Sequence, residues 1–168
     1  MEQADENASL NGFDHFGRSP LFIALIDNNL QQVKRLLERK ANVNAPSSNV
    51  TKDTHLMCAC SKTTSIDILE TLLIHGANVD GRTNGPTGFT ALMRTAHWNI
   101  LPAVQMLLAY KADPTLTADG FFKGKTALDL AKDDDIIKLL SVQPAPEAPP
   151  APMLSSVPAV VVSKKEAV

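Results

Sequence analysis

The sequence has little of what several classes of protein require. Aromatic residues make up only 5% of its 168 residues, and it has two cysteines, which are separated by one residue. Such a composition favours an aliphatic core, and two cysteines so close together cannot staple a long loop, so a disulfide-built secreted fold is not expected. The formal net charge is −2, which predicts no bulk attraction to nucleic acid or to an anionic membrane.

Signals for targeting and for membrane insertion are also missing. No apolar run approaches the roughly 18 residues of a membrane-spanning helix, and residues 1–12 are polar and acidic, unlike a signal peptide. The sequence therefore predicts a cytoplasmic protein, with the nucleus as a second compartment, that binds neither nucleic acid nor membrane.

What the chain does contain is an internal repeat. Four segments begin with Ser or Thr and carry Leu two residues later, namely SPLFIAL at 19–25, THLMCAC at 54–60, TALMRTA at 90–96 and TALDLAK at 126–132. Leu-rich segments that close with a small turn follow the first three, namely VKRLLERKANVNA at 33–45, LETLLIHGANVDG at 69–81 and VQMLLAYKADPTL at 104–116. Repetition in register predicts one structural unit per copy.

Each unit is predicted to contain a helix, a short turn, a second helix and a long loop. The first helices are expected to begin after an N-cap hydroxyl, from Ser19, Thr54, Thr90 and Thr126. Asn28 and Asn99 fall at the turn between the helices, where Asn tolerates the left-handed conformation. The second helices are expected to pack through aliphatic residues at helical spacing, namely Leu30, Val33, Leu36, Leu37, Ile66, Leu69, Leu72, Leu73, Leu101, Val104, Leu107 and Leu108.

These motifs resemble the ankyrin repeat over residues 13–142. GRSPLFIAL and ANVNA match in the first unit, HGANVDG in the second, and GFTALMRTA with KADPT in the third, while GKTALDLA opens a fourth unit that ends early at DDDIIKLL. The resemblance implies an all-α solenoid of stacked helix-turn-helix units with hairpin loops, made of three full repeats and a truncated fourth. The family's characteristic His is replaced by Phe22, Met57, Met93 and Asp129, so its hydrogen-bond network is expected to be absent or rebuilt.

The two ends of the chain differ from the repeats. Residues 1–12 are expected to be disordered, and so are the Pro/Ala-rich residues 143–168, which have no helical period. A flexible spacer is the favoured interpretation of this tail. A Pro-x-x-Pro ligand in PAPEAPPAP and a β-prone patch in PAVVV are the alternatives.

The segment THLMCAC raises the question of a metal or redox site. Cys60 aligns with Leu25 and Ala96, which is a packing position, and residues two apart on a helix point about 200° away from each other. His55 and Cys58 supply at most two of the four ligands that structural zinc needs. The histidines fall at non-equivalent positions and are expected at the surface, outside any catalytic arrangement. No catalytic residue, metal or cofactor is therefore expected.

The resemblance implies a non-catalytic protein-protein interaction module. It would act as an adaptor or scaffold through its hairpin tips and inner helices, and it would be a monomer on its own. A small ankyrin-type inhibitor that binds and blocks a protein kinase is the alternative.

Carried over position by position, the partner-binding residues lie at the loop tips and on the first helices. They are His15, Phe16, Arg18 and Asp27 in repeat one, Val50, Thr51, Asp53 and Lys62 in repeat two, Phe89, His97 and Trp98 in repeat three, and Phe122, Lys123 and Lys125 in the last. The aromatic members beside Arg and Lys are expected to be exposed hot spots. The alternative is a Trp98 that folds back over the adjacent turn.

Overall fold

The chain forms stacked pairs of helices. A computed structural model describes residues 10–47, 53–82 and 85–142. The helix pairs, one pair per unit, are α1 Pro20–Ile26 with α2 Leu30–Glu38, α3 His55–Ala59 with α4 Ile66–Ile74, α5 Ala91–His97 with α6 Leu101–Ala109, and α7 Ala127–Leu130 with α8 Asp134–Val142. The prediction of an all-α repeat solenoid is confirmed.

Local sequence signals fix where the helices begin and turn. Each predicted N-cap hydroxyl accepts a hydrogen bond from the backbone three residues later, at 3.1 to 3.3 Å, in Ser19, Thr54, Thr90 and Thr126. Asn28 and Asn99 have positive φ angles of 51° and 56° between the paired helices, as predicted. Short polar residues thus supply both the caps and the left-handed turns.

The helices form two rows with one core between them. First helices contact first helices from α1 to α7, and second helices contact second helices from α2 to α8. Val33, Leu72 and Leu107 of the second helices have no exposed surface. The prediction for Ile66 is wrong, because Ile66 starts α4 and is exposed, whereas Ile68 is fully buried in the core.

Two residues before the predicted start of the repeats at residue 13 already contact the first unit. Leu10 is helical and buried, and the backbone N–H of Asn42 donates a hydrogen bond to Asn11 Oδ1 at 2.8 Å. Leu10 and Asn11 therefore pack against the first unit, although they belong to the segment predicted to be disordered. Residues 1–9 and 143–168 lie outside the described residues, and for them disorder stays a prediction.

The loops of the third and fourth units meet at a close backbone contact. The N–H of Phe121 donates to the Pro86 carbonyl at 2.8 Å, and the N–H of Gly120 donates to the Thr87 carbonyl at 3.3 Å. A Cβ at Gly120 would stand 1.7 Å from the Pro86 oxygen, so only glycine fits there. This contact fixes the position of the last loop against the third unit.

Candidate protein-binding surface

The first loop presents an exposed aromatic tip. Asp14 Oδ1 accepts hydrogen bonds from the backbone of Phe16 and Arg18, each at 2.9 Å, which tightens the turn. The Arg18 guanidinium pairs with Asp14 Oδ2 at 2.8 Å and lies 4.8 Å from the centre of the Phe16 ring. The centres of the His15 and Phe16 rings are 3.9 Å apart. Asp27 is exposed at the end of α1. Because Arg18 also holds the carboxylate by hydrogen bonds, the pKa of Asp14 is lowered.

In the second unit the predicted binding residues lie in different environments. Val50 and Thr51 lie outside the described residues. Lys62 is exposed in the turn between α3 and α4, and Asp53 is half-buried. Asp53 Oδ2 pairs with Nη1 of Arg94 on α5 at 2.9 Å, which links the second unit to the third.

Arg94 is a site residue that the sequence analysis missed. Its guanidinium lies 4.7 Å from the centre of the Trp98 ring, and Trp98 caps α5 with 39% of its surface exposed. Trp98 is therefore at the surface but packed against a cation. The spacing of four residues within one helix, which places side chains on the same face, is the signal that could have identified this pair.

A cleft of about 360 Å³ opens between α1 and α3, beside this pair. Phe22 and Ile26 of α1 form its apolar side. Its polar side is the hydroxyl cluster of the α3–α4 turn, in which Ser61 Oγ lies 3.0 and 2.9 Å from the Oγ1 atoms of Thr63 and Thr64.

Asp53 and Arg94 also line the cleft. We call the following set the inner surface: Phe22, Ile26, Asp53, Lys62, Arg94 and Trp98. Its members come from the first helix of the first unit, from the first helix of the third unit and its C-cap, and from the loop and turn that flank α3 of the second unit. It combines an aromatic side chain, an aliphatic wall and an ion pair, which are the groups that protein-binding surfaces use.

The aromatic residues of the last two units are arranged differently from the prediction. Phe89 is only 5% exposed, so it is not an exposed hot spot. Its ring packs on His97 at 5.9 Å and on Phe122 at 5.1 Å, because the contact at Gly120 brings the two loops together. In the last loop it is instead Phe121 that is strongly exposed, at 86%.

Of the other predicted residues in these two loops and at the end of α5, two pack between the units and two are exposed to solvent. His97 and Phe122 are half-buried and lie 5.6 Å apart, so they belong to the seam between the last two units. Among the described residues, the buried Nδ1 atom of His97 has no hydrogen-bond partner. Lys123 and Lys125 are exposed in the last loop, where they flank a turn at Gly124 with a φ angle of 80°.

His55 is buried, contrary to the prediction of surface histidines. It is 1% exposed, and its Nδ1 lies 3.0 Å from the Val43 carbonyl, which can only accept. Nδ1 therefore carries the proton, and Nε2 accepts from the Ser19 hydroxyl at 2.8 Å. The predicted alternative of a rebuilt network is realised here, two residues before Met57. Burial lowers the pKa of His55.

Cys58 and Cys60 are free thiols in a packed environment. Cys60 is buried at its predicted packing position, while Cys58 is partly buried and donates to Ser47 Oγ at 3.3 Å. Burial raises the pKa of Cys58 to about 11 and that of Cys60 to about 12. Within the described ranges, no group of three His, Cys, Asp or Glu side chains could hold a metal ion. None of the helices described is long and apolar enough to cross a membrane.

Stacked helix pairs that repeat along the chain define a helical-repeat protein. A family model described as ankyrin repeats in three copies matches residues 2–83, and the chain belongs to the ankyrin repeat family. The crystal structure of the ankyrin repeat domain of Bcl-3, a member of the IkappaB protein family, is similar with a TM-score of 0.71 and 27% identity. The match covers 79% of this chain and 55% of that one.

Two curated proteins share the repeats within much longer chains. The Arabidopsis thaliana protein named "Putative E3 ubiquitin-protein ligase XBAT34" is 31% identical over 114 residues, which are 68% of this chain and 29% of that protein. The transient receptor potential cation channel subfamily A member 1 of Homo sapiens is 30% identical over 117 residues, which are 68% of this chain and 10% of the channel. The matched part of this chain thus spans less than a third of the length of each of these relatives. The ankyrin repeat itself is a non-catalytic interaction fold.

Proposed function

We propose that this chain is an adaptor or scaffold that binds another protein through its inner surface. The observation that carries the proposal is Trp98, which is partly exposed and stacked under Arg94 beside the cleft between α1 and α3. Trp and Arg dominate the binding energy of protein interfaces when they lie next to a pocket that excludes water. The exposed Ile26 and the aromatic wall of Phe22 extend the same surface over the first unit.

The relatives support binding but not a particular activity. A ligase and a channel differ in what their full chains do, and the part that they share with this chain is the repeat region. The proposal is therefore confined to recognition of another protein by a monomer in the cytoplasm, with no catalytic role. In it, the Pro/Ala-rich residues 143–168 act as a flexible spacer.

The experiment is affinity capture with the purified chain, followed by quantitative mass spectrometry. We expect partners that are recovered by the wild type and lost by the Trp98→Ala variant. The matched control is Ile74→Ala, which removes a 65% exposed side chain from α4 in the row of second helices, and which we expect to leave capture unchanged. A capture pattern that is the same for wild type and Trp98→Ala would contradict the proposal.

The same capture distinguishes an adaptor from a kinase inhibitor. An adaptor or scaffold is expected to recover more than one partner in comparable amounts. A protein kinase recovered as the only stoichiometric partner, and inhibited by the purified chain, would replace the adaptor with the inhibitor.

A further inference from the structure

We propose that the inner surface selects partner segments in which an acidic side chain follows an aliphatic one. In this arrangement the partner's carboxylate binds the Arg94 guanidinium, and its aliphatic side chain lies on Phe22 and Ile26. The proposal rests on the proposed function, because it states what chemistry the bound protein must present.

Arg94 has hydrogen-bond donors that its ion pair does not use. Its ion pair with Asp53 uses one nitrogen, Nη1, and one carboxylate oxygen, Oδ2. Within the described residues the guanidinium makes no other hydrogen bond, although it has five N–H groups in a planar fork. Nη2 and Nε therefore remain able to bind a second carboxylate, and a pair of parallel hydrogen bonds is the strong geometry for this recognition.

The Arg94 guanidinium is held in place before any partner binds. Asp53 fixes one end of it, and the Trp98 ring supports its face at 4.7 Å. Only 21% of the Arg94 side chain is exposed, so a charge-assisted bond there is less screened than one on the open surface. A side chain that is already ordered loses less entropy on binding.

The cleft beside the Arg94 guanidinium offers an apolar wall. Its volume of about 360 Å³ can take an aliphatic side chain, and Ile26 is exposed along its wall. The charged residues that line it are Arg94 and Asp53, so their charges cancel, and recognition depends on the open donors rather than on net charge. The exposed Lys62, next to the hydroxyl cluster, adds a positive charge at the turn.

The test uses the chain's single tryptophan as the reporter, because Arg94 stacks on Trp98. The intact chain is titrated with the blocked peptide acetyl-Gly-Leu-Glu-Leu-Gly-amide while Trp98 emission is followed. Two counterparts carry Gln or phosphoserine in place of Glu. We expect a saturable change with the Glu peptide, and binding of the Gln peptide weaker by about tenfold, since it cannot form the charged pair.

Four variants, one of them a control, assign the effect to Arg94. Arg94→Gln is expected to abolish the preference for Glu over Gln, and Arg94→Lys to reduce it, because Lys keeps the charge but lacks the fork. The control Arg35→Gln removes an exposed cation from α2 and is expected to behave as wild type. Asp53→Asn keeps a side-chain oxygen that can accept from Arg94 Nη1 but removes the negative charge that repels the peptide carboxylate, so it is expected to tighten binding of the Glu peptide by about threefold. A variant that fails to fold would lose binding, so tighter binding of the Glu peptide by Asp53→Asn cannot come from misfolding.

Several outcomes would overturn the inference. They are equal binding of the Glu and Gln peptides, a preference that survives in Arg94→Gln, and saturation by the phosphoserine peptide alone, which would assign the surface to phosphate. If there is no preference for Glu while Trp98→Ala still loses the captured partners, this inference fails and the proposed function stands. If Trp98→Ala retains the captured partners, the proposed function itself fails.

Discussion

A buried histidine joins the first two units through both of its ring nitrogens. His55 donates to the Val43 carbonyl through Nδ1 and accepts from the Ser19 hydroxyl through Nε2. Ser19 is itself the N-cap of α1, so its oxygen also accepts from the backbone N–H of Phe22. A second proton on the ring would turn Nε2 into a donor and reverse the bond to Ser19.

The first prediction is therefore a pH dependence of stability. The pKa of His55 is lowered in the folded chain relative to its ordinary value of 6.5, since burial disfavours the charged ring. The unfolded chain then binds a proton that the folded chain does not, so stability is complete above about pH 6.5 and falls as the pH drops below it. Urea titrations at pH 7.5 and pH 5.0 measure this loss.

The control for this prediction is His55→Gln. The variant lacks the titrating ring, so the difference in unfolding free energy between wild type and variant is expected to shrink at pH 5.0. A difference that stays constant between the two pH values would show that His55 does not titrate on unfolding.

The second prediction concerns the two thiols. A pKa raised from 9 to about 11 at Cys58 lowers the thiolate fraction at pH 8 by about 100-fold, and at Cys60, with a pKa of about 12, by more. We expect reaction with Ellman's reagent to be slow in the native chain and rapid in urea. Fast modification of either thiol under native conditions would contradict the packing role of this segment.

At the scale of the helices, caps and turns determine where each helix begins and where the chain reverses direction. The four N-caps and the two left-handed asparagines were predictable from sequence, because each depends on residues within one turn of the chain. The equivalent position after each second helix is also left-handed, at Lys40, Gly76 and Lys111. Two of the three full units thus place a lysine where glycine is the unstrained residue.

The third prediction exploits this difference between equivalent turns. Lys111 has a φ angle of 66°, so Lys111→Gly is expected to stabilise the chain by about 0.5–1 kcal/mol after the added freedom of the unfolded state is deducted. Gly76→Lys is expected to destabilise it by a similar amount, since a Cβ there would meet no atom within 4 Å and the cost is conformational alone. Thermal unfolding measures both, and shifts of the same sign would contradict the account.

The fourth prediction tests the register of the second helices. Leu36, Leu72 and Leu107 are equivalent and buried, so each change to Ala is expected to cost about 2–5 kcal/mol of unfolding free energy. The exposed Ile74 is the comparison, and Ile74→Ala is expected to stay within about 0.5 kcal/mol of wild type. Denaturant titration gives the values, and a cost below about 1 kcal/mol at all three leucines would refute the register.

At the scale of the whole molecule, the repeat period was enough to predict the stack but not the contacts between its loops. The packing of Phe89 on Phe122 depends on the backbone contact of Gly120 with Pro86. This contact joins two units, so no local pattern in the sequence indicates it. The pairing of Asp53 with Arg94 likewise spans two units. Trp98 was found because a single tryptophan at the end of a first helix stands out by position alone.

The same distinction between local patterns and contacts across units applies to the inner surface. Side chains that follow the helical period, such as Phe22 and Ile26, could be placed from one unit. The cleft that they line needs α3 and α5 as well, so it exists only in the assembled stack. Since the helices of the described units pack mainly on those of adjacent units, a change in one unit is expected to alter binding locally.

The central claim is that the inner surface binds another protein, and the affinity of Trp98→Ala tests it most directly. The measurement is calorimetric titration of a purified captured partner into the wild type and the variant, with a urea titration of each. We predict that the variant binds more weakly by more than about 1.5 kcal/mol while its stability barely changes, since Trp98 lies at the surface and its ring stacks on the Arg94 guanidinium. Unchanged affinity in a variant that has lost stability would contradict the claim, because Trp98 would then belong to the scaffold and the binding site would lie elsewhere.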